Sequence, residues 1–381
     1  MAAYIVSARK YRPDTFASVV GQSHITSTLK GAILLNQLAH AFLFSGPRGV
    51  GKTTCARILA KAINCTALTP EGEPCNQCES CTAFNQGKSI NIHELDAASN
   101  NSVEDIRTLI EQTRYVPVNG RKSVYIIDEV HMLSQAAFNA FLKTLEEPPA
   151  HVLFILATTE KHKILPTILS RCQKFDFRRI KVEDTAQHLA HIAREEGIDC
   201  EHAALQQIAL KADGALRDAL SLFDQLVSAS GGRLTFAQVL ENLNILDYDY
   251  YFRTVTHMQA GEHSALLLLL DEIIAKGFEA KDFIVGLTEH FRNLLVCQDS
   301  QTLKLLETSE QVREQYRSQS TALSGSFLLN AFHLCSEAEQ QSRSSAHPRL
   351  VVELALIKLA HLESVIRLAS NGQPVEVKKK S

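Results

Sequence analysis

Short apolar runs alternate with helical periodicity from the start of the chain to about Phe177. Four runs are rich in β-branched or aromatic residues and end in polar or small ones: HAFLFSG, INIHELDA, SVYIIDE and VLFILATT. Near-continuous apolar strands separated by helices predict an α/β fold, a parallel sheet with both faces covered. Ligands of such sheets bind beyond the strand ends, where Gly46, Asp96, Asp128 and Thr159 fall.

The pattern becomes purely helical after the predicted α/β domain, residues 1–179. Three amphipathic segments end at Gly197, Gly214 and Gly231, because glycine readily adopts the left-handed conformation that closes a helix. They predict a small helical domain without strands over residues 180–243.

Leucine-rich amphipathic segments continue over residues 244–368 and predict a second helical domain. The longest apolar run, residues 265–270, is predicted to be a buried helix face. It is far shorter than the roughly 18 apolar residues that a membrane span needs. Residues 369–381 are predicted to form a linker or tail.

Composition supports a globular chain of several domains. A length of 381 residues exceeds what one core usually organises, and 45% apolar with 21% charged residues is typical of folded proteins. The net charge of −3 means that any DNA contact must come from a local patch. Nine cysteines without an export signal predict reduced thiols and a cytoplasmic protein.

The segment GPRGVGKTT matches the phosphate-loop pattern G-x-x-x-x-G-K-[ST], with a strand predicted before it and a helix after it. In such a loop backbone N–H groups surround the phosphates, so Lys52 is predicted to reach the β/γ oxygens and Thr53 to contact Mg²⁺. The predicted loop contacts are Gly46, Gly49, Val50, Gly51, Lys52, Thr53 and Thr54.

The strand SVYIIDE ends in two carboxylates, Asp128 and Glu129. Asp128 is predicted to hold Mg²⁺ through its water shell, and Glu129 is predicted to polarise the attacking water. Strand-end carboxylates are common, but a loop-bound Mg·ATP lacks such groups of its own. The two motifs together therefore predict an ATPase.

Four further positions are candidates for sensing the phosphate. Thr158 and Thr159 end a strand, where a hydroxyl can bond the γ-phosphate or the water, although threonine also caps strands. Arg171 ends a short predicted helix in LPTILSRC, and Arg217 lies in the first turn of a helix in GALRDAL. Exposed helical arginines are usually solvated, so the pattern alone leaves both roles open.

Four cysteines, Cys65, Cys75, Cys78 and Cys81, form the pattern C-x9-C-x2-C-x2-C. Structural zinc is predicted, because tetrahedral zinc is commonly held by four thiolates with C-x2-C spacing. An iron–sulfur cluster is the alternative, although the fourth thiol is upstream and no Cys-Pro follows. Four buried free thiols are disfavoured because TPEGEPCNQCES is too polar for a core.

Several segments closely resemble the bacterial DNA polymerase III gamma/tau family: YRPDTFASVVGQ, GPRGVGKTT, the four-cysteine insertion, YIIDEVHMLSQAAFNAFLKTLEEPP, LATTE, ILSRC and GALRDAL. The resemblance runs from about Tyr4 to about residue 243, and beyond it the chain is similar only in helical character. It implies an AAA+ nucleotide-binding domain with a zinc-binding insertion, a helical lid and a helical oligomerisation collar.

The resemblance also implies roles for single residues. Thr159 would be a first sensor, Arg217 a second sensor, and Arg171 an arginine finger that reaches the ATP of a neighbouring subunit. The adenine pocket would be lined by Tyr11, Arg12, Pro13, Val19 and Val20.

A hetero-oligomeric machine is implied as well. Its parts would be delta, delta-prime and further gamma/tau copies in a pentamer, with the sliding beta clamp and primer-template DNA as partners and no membrane. ATP hydrolysis, with Mg²⁺ and structural Zn²⁺ bound, would open the clamp and close it around primed DNA. The chain would be part of the DNA polymerase III holoenzyme without a polymerase active site of its own.

The sequence departs from the family where DNA contacts are concerned. Asn100 and Asn101 stand where such loaders often carry basic residues, although a helix N-terminus there can still face phosphate. Lys143 is a candidate DNA-facing or interface lysine, or a solvated one. Helicase- and polymerase-binding domains of longer family members are not expected here, so the sequence resembles the shorter form or a fragment.

Two other functions fit part of the pattern. DEVH resembles a helicase DExH box, but a helicase needs a second sheet domain and only helices are predicted after residue 180. The alternative enzyme is a AAA+ DNA-dependent ATPase of the helicase or branch-migration type. An inert binding scaffold is the third hypothesis, against which the intact Lys52, Glu129 and Arg171 argue.

Overall fold

The computed structural model describes residues 6–100, 103–117, 121–306, 308 and 310–370. The chain divides into two compact units, Met1–Leu234 and Thr235–Ser381. None of the helices in the described part of the chain is long and apolar enough to cross a bilayer. Asn101 and residues 371–381 of the predicted tail lie outside the described residues.

A five-stranded parallel sheet forms the centre of the first unit. Its strands are β1 Ala41–Ser45, β2 Ile92–Asp96, β3 Ser123–Asp128, β4 Val152–Thr158 and β5 Gln173–Asp176. Their spatial order is β2-β3-β4-β1-β5, and every neighbouring pair is parallel. All residues of β1 and β4 are buried, as near-continuous apolar runs require. The predicted parallel α/β sheet is confirmed.

The apolar pattern does not predict β5, since only Phe175 of its residues is buried in this edge strand. The strand nevertheless shapes the site, because it leads to Phe177. The Phe177 N–H donates to the Ser45 carbonyl over 2.7 Å. Gly46 follows with φ of +149°, and a Cβ there would lie 2.4 Å from the Phe177 carbonyl oxygen. Only glycine fits where the chain leaves β1.

Helices cover both faces of the sheet, and two separate cores result. The described helices of the first unit are α1 Ser7–Lys10, α2 Ser23–Leu34, α3 Lys52–Asn64, α4 Glu79–Asn85, α5 Val103–Gln112, α6 Gln135–Glu146, α7 Pro166–Leu169, α8 Val182–Glu196, α9 His202–Lys211 and α10 Leu216–Ser230. Phe42 of β1 packs into the core with Leu59 of α3, whereas the next residue, Leu43, packs into the core with Phe141 of α6. This alternation is the geometry of a strand with two buried faces.

The three helices predicted after residue 180 are α8, α9 and α10. The first and last end at Gly197 and Gly231, which both adopt the left-handed conformation. The middle helix ends at Lys211, with Ala212 as its C-cap, and not at Gly214 as predicted. Gly214 instead has φ of +76°, and a Cβ there would lie 3.0 Å from the backbone of Ile180.

The prediction that strands stop after residue 180 is wrong. Two-residue strands β6 Asp199–Cys200 and β7 Arg233–Leu234 form a parallel pair. The N–H of Glu201 extends this pairing to the Leu234 carbonyl over 3.0 Å. Strands of two residues are too short for an alternating pattern to reveal.

The second unit is helical throughout its described residues. Its helices are α11 Phe236–Asn242, α12 Tyr248–Gln259, α13 His263–Ala275, α14 Ala280–Val296, α15 Glu310–Thr321, α16 Gly325–Ser344 and α17 Pro348–Ser370. The division after Leu234 assigns α11 to this unit, whereas the predicted lid boundary at residue 243 assigned it to the lid. The last helix includes residues 369–370, which were predicted to start the tail.

One apolar cluster forms the core of the second unit, and it encloses His290. The ring Nδ1 lies 2.9 Å from the Tyr316 hydroxyl, and Nε2 lies 3.1 Å from Gln319 Oε1. Burial lowers the pKa of His290 to about 3, so the ring is neutral. The run 265–270 is not a wholly buried face, because Leu268 is 71% exposed.

Candidate functional site

A cavity of about 450 Å³ lies beyond the carboxyl ends of β1 and β3. One side is lined by residues of the base segment, which we define as residues 11–20: Tyr11, Arg12, Pro13, Val19 and Val20. Residues 48–54 of the phosphate loop line another side, together with Asp128, Glu129 and the lid residue Arg217. Four of the residues considered for the nucleotide site do not line it: Gly46, Thr158, Thr159 and Arg171.

The phosphate loop holds its lysine inside the loop. Gly51 precedes α3 with φ of +102°, so the N-terminus of this helix faces the cavity. The Lys52 ammonium donates to the carbonyls of Gly46 and Pro47 over 2.8 and 2.6 Å. Burial lowers the pKa of Lys52, and the nearby carboxylates oppose that shift. The ammonium can therefore exchange weak carbonyl partners for a phosphate.

The two carboxylates at the end of β3 face the loop. The Thr53 hydroxyl donates to Asp128 Oδ2 over 2.6 Å, so the two predicted Mg²⁺ ligands meet. The N–H of Glu129 donates to the other oxygen of Asp128 over 2.9 Å. Glu129 itself has φ of +47°, a conformation that non-glycine residues seldom adopt outside functional sites.

Glu129 has a partner in the residue that follows β4. The Thr159 hydroxyl and N–H donate to Glu129 Oε2 over 2.9 and 3.2 Å. Thr158 is fully buried and faces elsewhere, since its hydroxyl lies 3.0 Å from Nδ1 of His131. The same Nδ1 lies 3.4 Å from Glu129 Oε2. Of the two threonines, Thr159 alone contacts the predicted catalytic carboxylate.

The lid closes the cavity over the phosphate loop. The N–H of Arg217, in the first turn of α10, donates to the Gly49 carbonyl over 3.3 Å. Its side chain is exposed and lines the cavity. The lining carries five cationic side chains against two carboxylates: Arg9, Arg12, Arg48, Lys52 and Arg217. Such a cavity is suited to a polyanion.

Arg171 lies apart from the cavity of its own chain. It follows α7, and its guanidinium donates to the Thr167 carbonyl and to Glu146 Oε1, each over 2.7 Å. Its side chain is 33% exposed. The structure thus brings the loop, the carboxylates, Thr159 and Arg217 together and leaves Arg171 at the surface.

The four cysteines converge on one point. Their Sγ atoms all lie within 4.8 Å of one another, and the Cys65 Sγ is 3.5 Å from Cys75 and 4.0 Å from Cys78. Tetrahedral zinc with Zn–S bonds of about 2.3 Å requires S···S distances of about 3.8 Å. The side chains present therefore fit one tetrahedral metal ion.

Backbone N–H groups lower the pKa of Cys75 and Cys78 and so favour their thiolates, whereas burial raises the pKa of Cys65 and Cys81. Backbone N–H groups of Cys75 and Cys78 each approach a cysteine Sγ at 3.3 Å. Burial opposes ionisation of Cys78, but N–H groups of Thr66 and Cys81 outweigh it and lower its pKa to about 5. Lys61 of α3 is buried, which lowers its pKa, and thiolates of the cluster oppose that shift. A buried ammonium is a suitable counter-charge for a metal held by four thiolates.

The two candidate DNA-facing positions lie outside the cavity. Asn100 hydrogen-bonds to the Asp96 carbonyl through its backbone and side-chain nitrogens, over 2.9 and 3.1 Å. Lys143 is exposed on α6. The contacts of Asn100 and Lys143 do not form a DNA-binding site, so their roles stay predictions.

Three family models match successive parts of the chain. The model described as DNA polymerase III, delta subunit, matches residues 21–181. The DNA polymerase III clamp loader subunit, ATPase lid domain, matches residues 184–232. Domain III of the DNA polymerase III subunits gamma and tau matches residues 234–371.

Curated relatives point the same way. The DNA polymerase III subunit tau of Bacillus subtilis is 41% identical over 351 residues, which is 92% of this chain and 62% of that protein. The DNA polymerase III subunit gamma of Buchnera aphidicola is 34% identical over 380 residues, 98% of this chain and 100% of that protein. The chain belongs to the DNA polymerase III gamma/tau family.

Members of the gamma/tau family differ in length, and the chain spans only 46% to 62% of the first tau proteins that it matches. Among solved structures, the Thermotoga maritima RuvB Holliday junction branch migration motor is 21% identical with a TM-score of 0.46, covering 64% of this chain and 79% of that one. Because the family carries an ATPase lid, membership implies binding of a nucleotide and Mg²⁺.

Two residues that support the site in this gamma/tau chain were not predicted from the sequence. Gln22 is fully buried, and its amide donates to the carbonyls of Arg178 and Val50 over 2.7 and 3.4 Å. It thereby joins the phosphate loop to the segment that leads from β5 to the lid. His131 contacts Glu129 and Glu160 with a side chain that is 6% exposed. A polar residue within an apolar stretch is the only sequence signal for either.

Proposed function

We propose that this chain is the ATP-driven motor subunit of the bacterial sliding-clamp loader, which opens the beta clamp and loads it on primed DNA. The observation that carries the proposal is the single cavity in which a phosphate loop, two strand-end carboxylates and a lid arginine meet. Membership in the gamma/tau family supplies the biological context.

The residues of the cavity divide the chemistry among them. Lys52 neutralises the β- and γ-phosphates of ATP, which replace the carbonyls of Gly46 and Pro47 as its partners. Thr53 and Asp128 hold Mg²⁺, which neutralises charge on the transferring phosphoryl group. Glu129 accepts a proton from the attacking water. The base segment, through Tyr11 to Pro13, Val19 and Val20, encloses the adenine.

Thr159 and Arg217 serve as sensors in this proposal. Thr159 binds the carboxylate of Glu129 and so couples its orientation to the end of β4. Arg217 approaches the γ-phosphate from the lid when the lid is closed, because its helix already contacts the loop at Gly49. Arg171 completes the site of a neighbouring subunit from outside the cavity of its own chain.

The proposed assembly is a cytoplasmic pentamer of the DNA polymerase III holoenzyme. Delta, delta-prime and further gamma/tau copies are its other subunits, and the helices over residues 244–368 of this chain are the oligomerisation collar. The proposed division of the chain is a nucleotide-binding domain at 1–179, a lid at 180–243, a collar at 244–368 and a tail at 369–381.

Joint dependence of ATP hydrolysis on clamp and DNA tests the proposed function. The chain assembled with its partner subunits is expected to hydrolyse ATP fastest when the sliding clamp and primed DNA are both present. Hydrolysis is measured with each omitted in turn. Full stimulation by DNA alone, without the clamp, would instead support a branch-migration or helicase type of ATPase.

Metal content tests the four-cysteine cluster. We expect the purified chain to hold one zinc ion per subunit by elemental analysis, since its four thiols fit one tetrahedral ion. Cys78→Ser is expected to release the metal, whereas Cys200→Ser, at a cysteine outside the cluster, retains it. Iron in place of zinc, or no metal, contradicts the proposed structural zinc.

A further inference from the structure

The base segment is attached to the loop of the four-cysteine module through one carboxylate. We define the module loop as residues 66–74, between the first two cysteines of the cluster. Glu73 Oε2 accepts the N–H of Phe16 over 2.7 Å, and Oε1 accepts the N–H of Ala17 over 2.9 Å. Glu73 is 8% exposed, and the Lys30 ammonium lies 3.4 Å from Oε1.

This contact decides where the lining residues of the base segment lie. Phe16 and Ala17 belong to neither a helix nor a strand, so no backbone hydrogen bond of regular secondary structure satisfies their N–H groups. The Glu73 carboxylate takes that place. Phe16 is 1% exposed within the core, and its carbonyl accepts the N–H of Val19 over 3.2 Å. Val19 lines the cavity. Two hydrogen bonds, from Phe16 to Glu73 and from Val19 to Phe16, therefore connect Glu73 to the cavity wall.

The direction of the Glu73 side chain depends on the module loop. Thr69 fixes the Glu73 backbone, from which the side chain projects, since the Glu73 N–H donates to the Thr69 hydroxyl over 3.1 Å and the Glu73 carbonyl accepts the Thr69 N–H over 3.0 Å. The loop ends at Cys65 and Cys75, which the cluster holds 3.5 Å apart at Sγ. Holding the two ends of a loop together lowers its conformational entropy.

A second contact links the same two parts at the surface. The side-chain amide of Asn76, between two cysteines of the cluster, donates to Asp14 Oδ2 over 3.1 Å. Asp14 lies in the base segment, next to the lining residue Pro13. The module therefore touches the base segment on both the buried and the exposed side.

We propose that Glu73 is a positioning residue through which the four-cysteine module sets the affinity of the cavity for the adenine base. The inference rests on the proposed function, because it takes ATP as the occupant of the cavity. The four cysteines would hold a metal ion that fixes both ends of the module loop. The loop carries Glu73, and Glu73 holds the base segment at the cavity.

Comparing ATP with inorganic tripolyphosphate tests the role of Glu73, because the second ligand has no base. Glu73→Gln replaces one acceptor oxygen by a donor, so one of the two backbone N–H groups loses its acceptor and the other keeps only a neutral one. Calorimetry in the presence of Mg²⁺ is expected to show about 10-fold weaker ATP binding, the typical effect of one such bond. Tripolyphosphate binding is expected to be unchanged.

Matched variants separate positioning from general damage. Glu71→Gln makes the same change of charge at an exposed residue of the module loop and is expected to bind ATP as the wild type does. Thr69→Ala leaves the buried carboxylate in place and loosens its loop, so it is expected to weaken ATP binding by a smaller factor. A Glu73→Gln chain with unchanged ATP affinity, or with equal loss for both ligands, overturns the inference.

A double-variant cycle tests the link to the cysteines. Cys78→Ser alone is expected to weaken ATP binding about as much as Glu73→Gln, and the double variant no more than either single one, because both act through the same contact. Fully additive losses contradict that route. Absence of ATP binding by the wild type would reject the proposed function itself, which this comparison distinguishes.

Discussion

Arg171→Ala is expected to leave ATP binding by the isolated chain unchanged and to reduce hydrolysis by the assembled loader about 10³- to 10⁵-fold. The guanidinium lies outside the cavity of its own chain, where Glu146 and the Thr167 carbonyl hold it. A guanidinium delivered to a neighbouring site would stabilise charge on the transferring phosphoryl group. Single-turnover hydrolysis with clamp and primed DNA present measures the loss.

Mixing two inactive chains tests the direction of this effect. A loader assembled from Arg171→Ala and Glu129→Gln chains contains interfaces that pair an intact Glu129 with an intact Arg171 of the neighbour. Such interfaces are expected to regain part of the activity. Weaker ATP binding by the isolated Arg171→Ala chain would show that the arginine acts within its own subunit.

Glu146→Ala is the matched control, because it removes the observed partner of Arg171 without removing the guanidinium. Exposed ion pairs contribute only about 0–1 kcal/mol, so this variant is expected to keep most of its activity. If Glu146→Ala lost activity as severely as Arg171→Ala, the ion pair itself would be the functional element.

Lys52→Ala and Glu129→Gln are expected to fail at different steps. Loss of the Lys52 ammonium removes the only cation within the phosphate loop that contacts its carbonyls, and ATP affinity is expected to fall by about 100-fold or more. Glu129→Gln removes the proton acceptor, so binding persists while turnover falls by roughly 10²- to 10⁴-fold. Calorimetry and single-turnover kinetics measure the two effects separately.

Thermal unfolding of both variants without nucleotide provides the control for folding, since Lys52 is buried. Both chains are expected to unfold close to the wild-type temperature. Equal loss of ATP binding in the two variants contradicts the separate roles assigned to Lys52 and Glu129.

The sheet was predictable where burial was complete. Strands β1 and β4 are apolar along their length because neighbours cover both faces and both edges. The edge strand β5 needs only one buried side chain, Phe175, so its sequence QKFD carries no apolar run. The two-residue pair β6 and β7 is determined by the lid around it and has no local signature.

The site was predictable where function demands a fixed local spacing. The phosphate loop and the cysteine cluster are contiguous or nearly so, and their chemistry constrains each position. Contacts made across the fold carry no such spacing. Glu73 lies more than 50 residues from Phe16, and Gln22 lies more than 150 residues from Arg178, so only the folded chain reveals these pairs.

The base segment can also be viewed as a strap fastened at two ends. Just before it, Ser7 is bonded to Asp224 of α10 and Lys10 to Glu196 of α8, and Glu196 also accepts the hydroxyl of Tyr11, the first residue of the segment. Further along, Glu73 binds the N–H groups of Phe16 and Ala17. A base bound against Tyr11 to Pro13 would contact residues that lie between the contacts to the lid and the contact to Glu73. We therefore expect an occupied cavity to couple the position of the lid to that of the cysteine module.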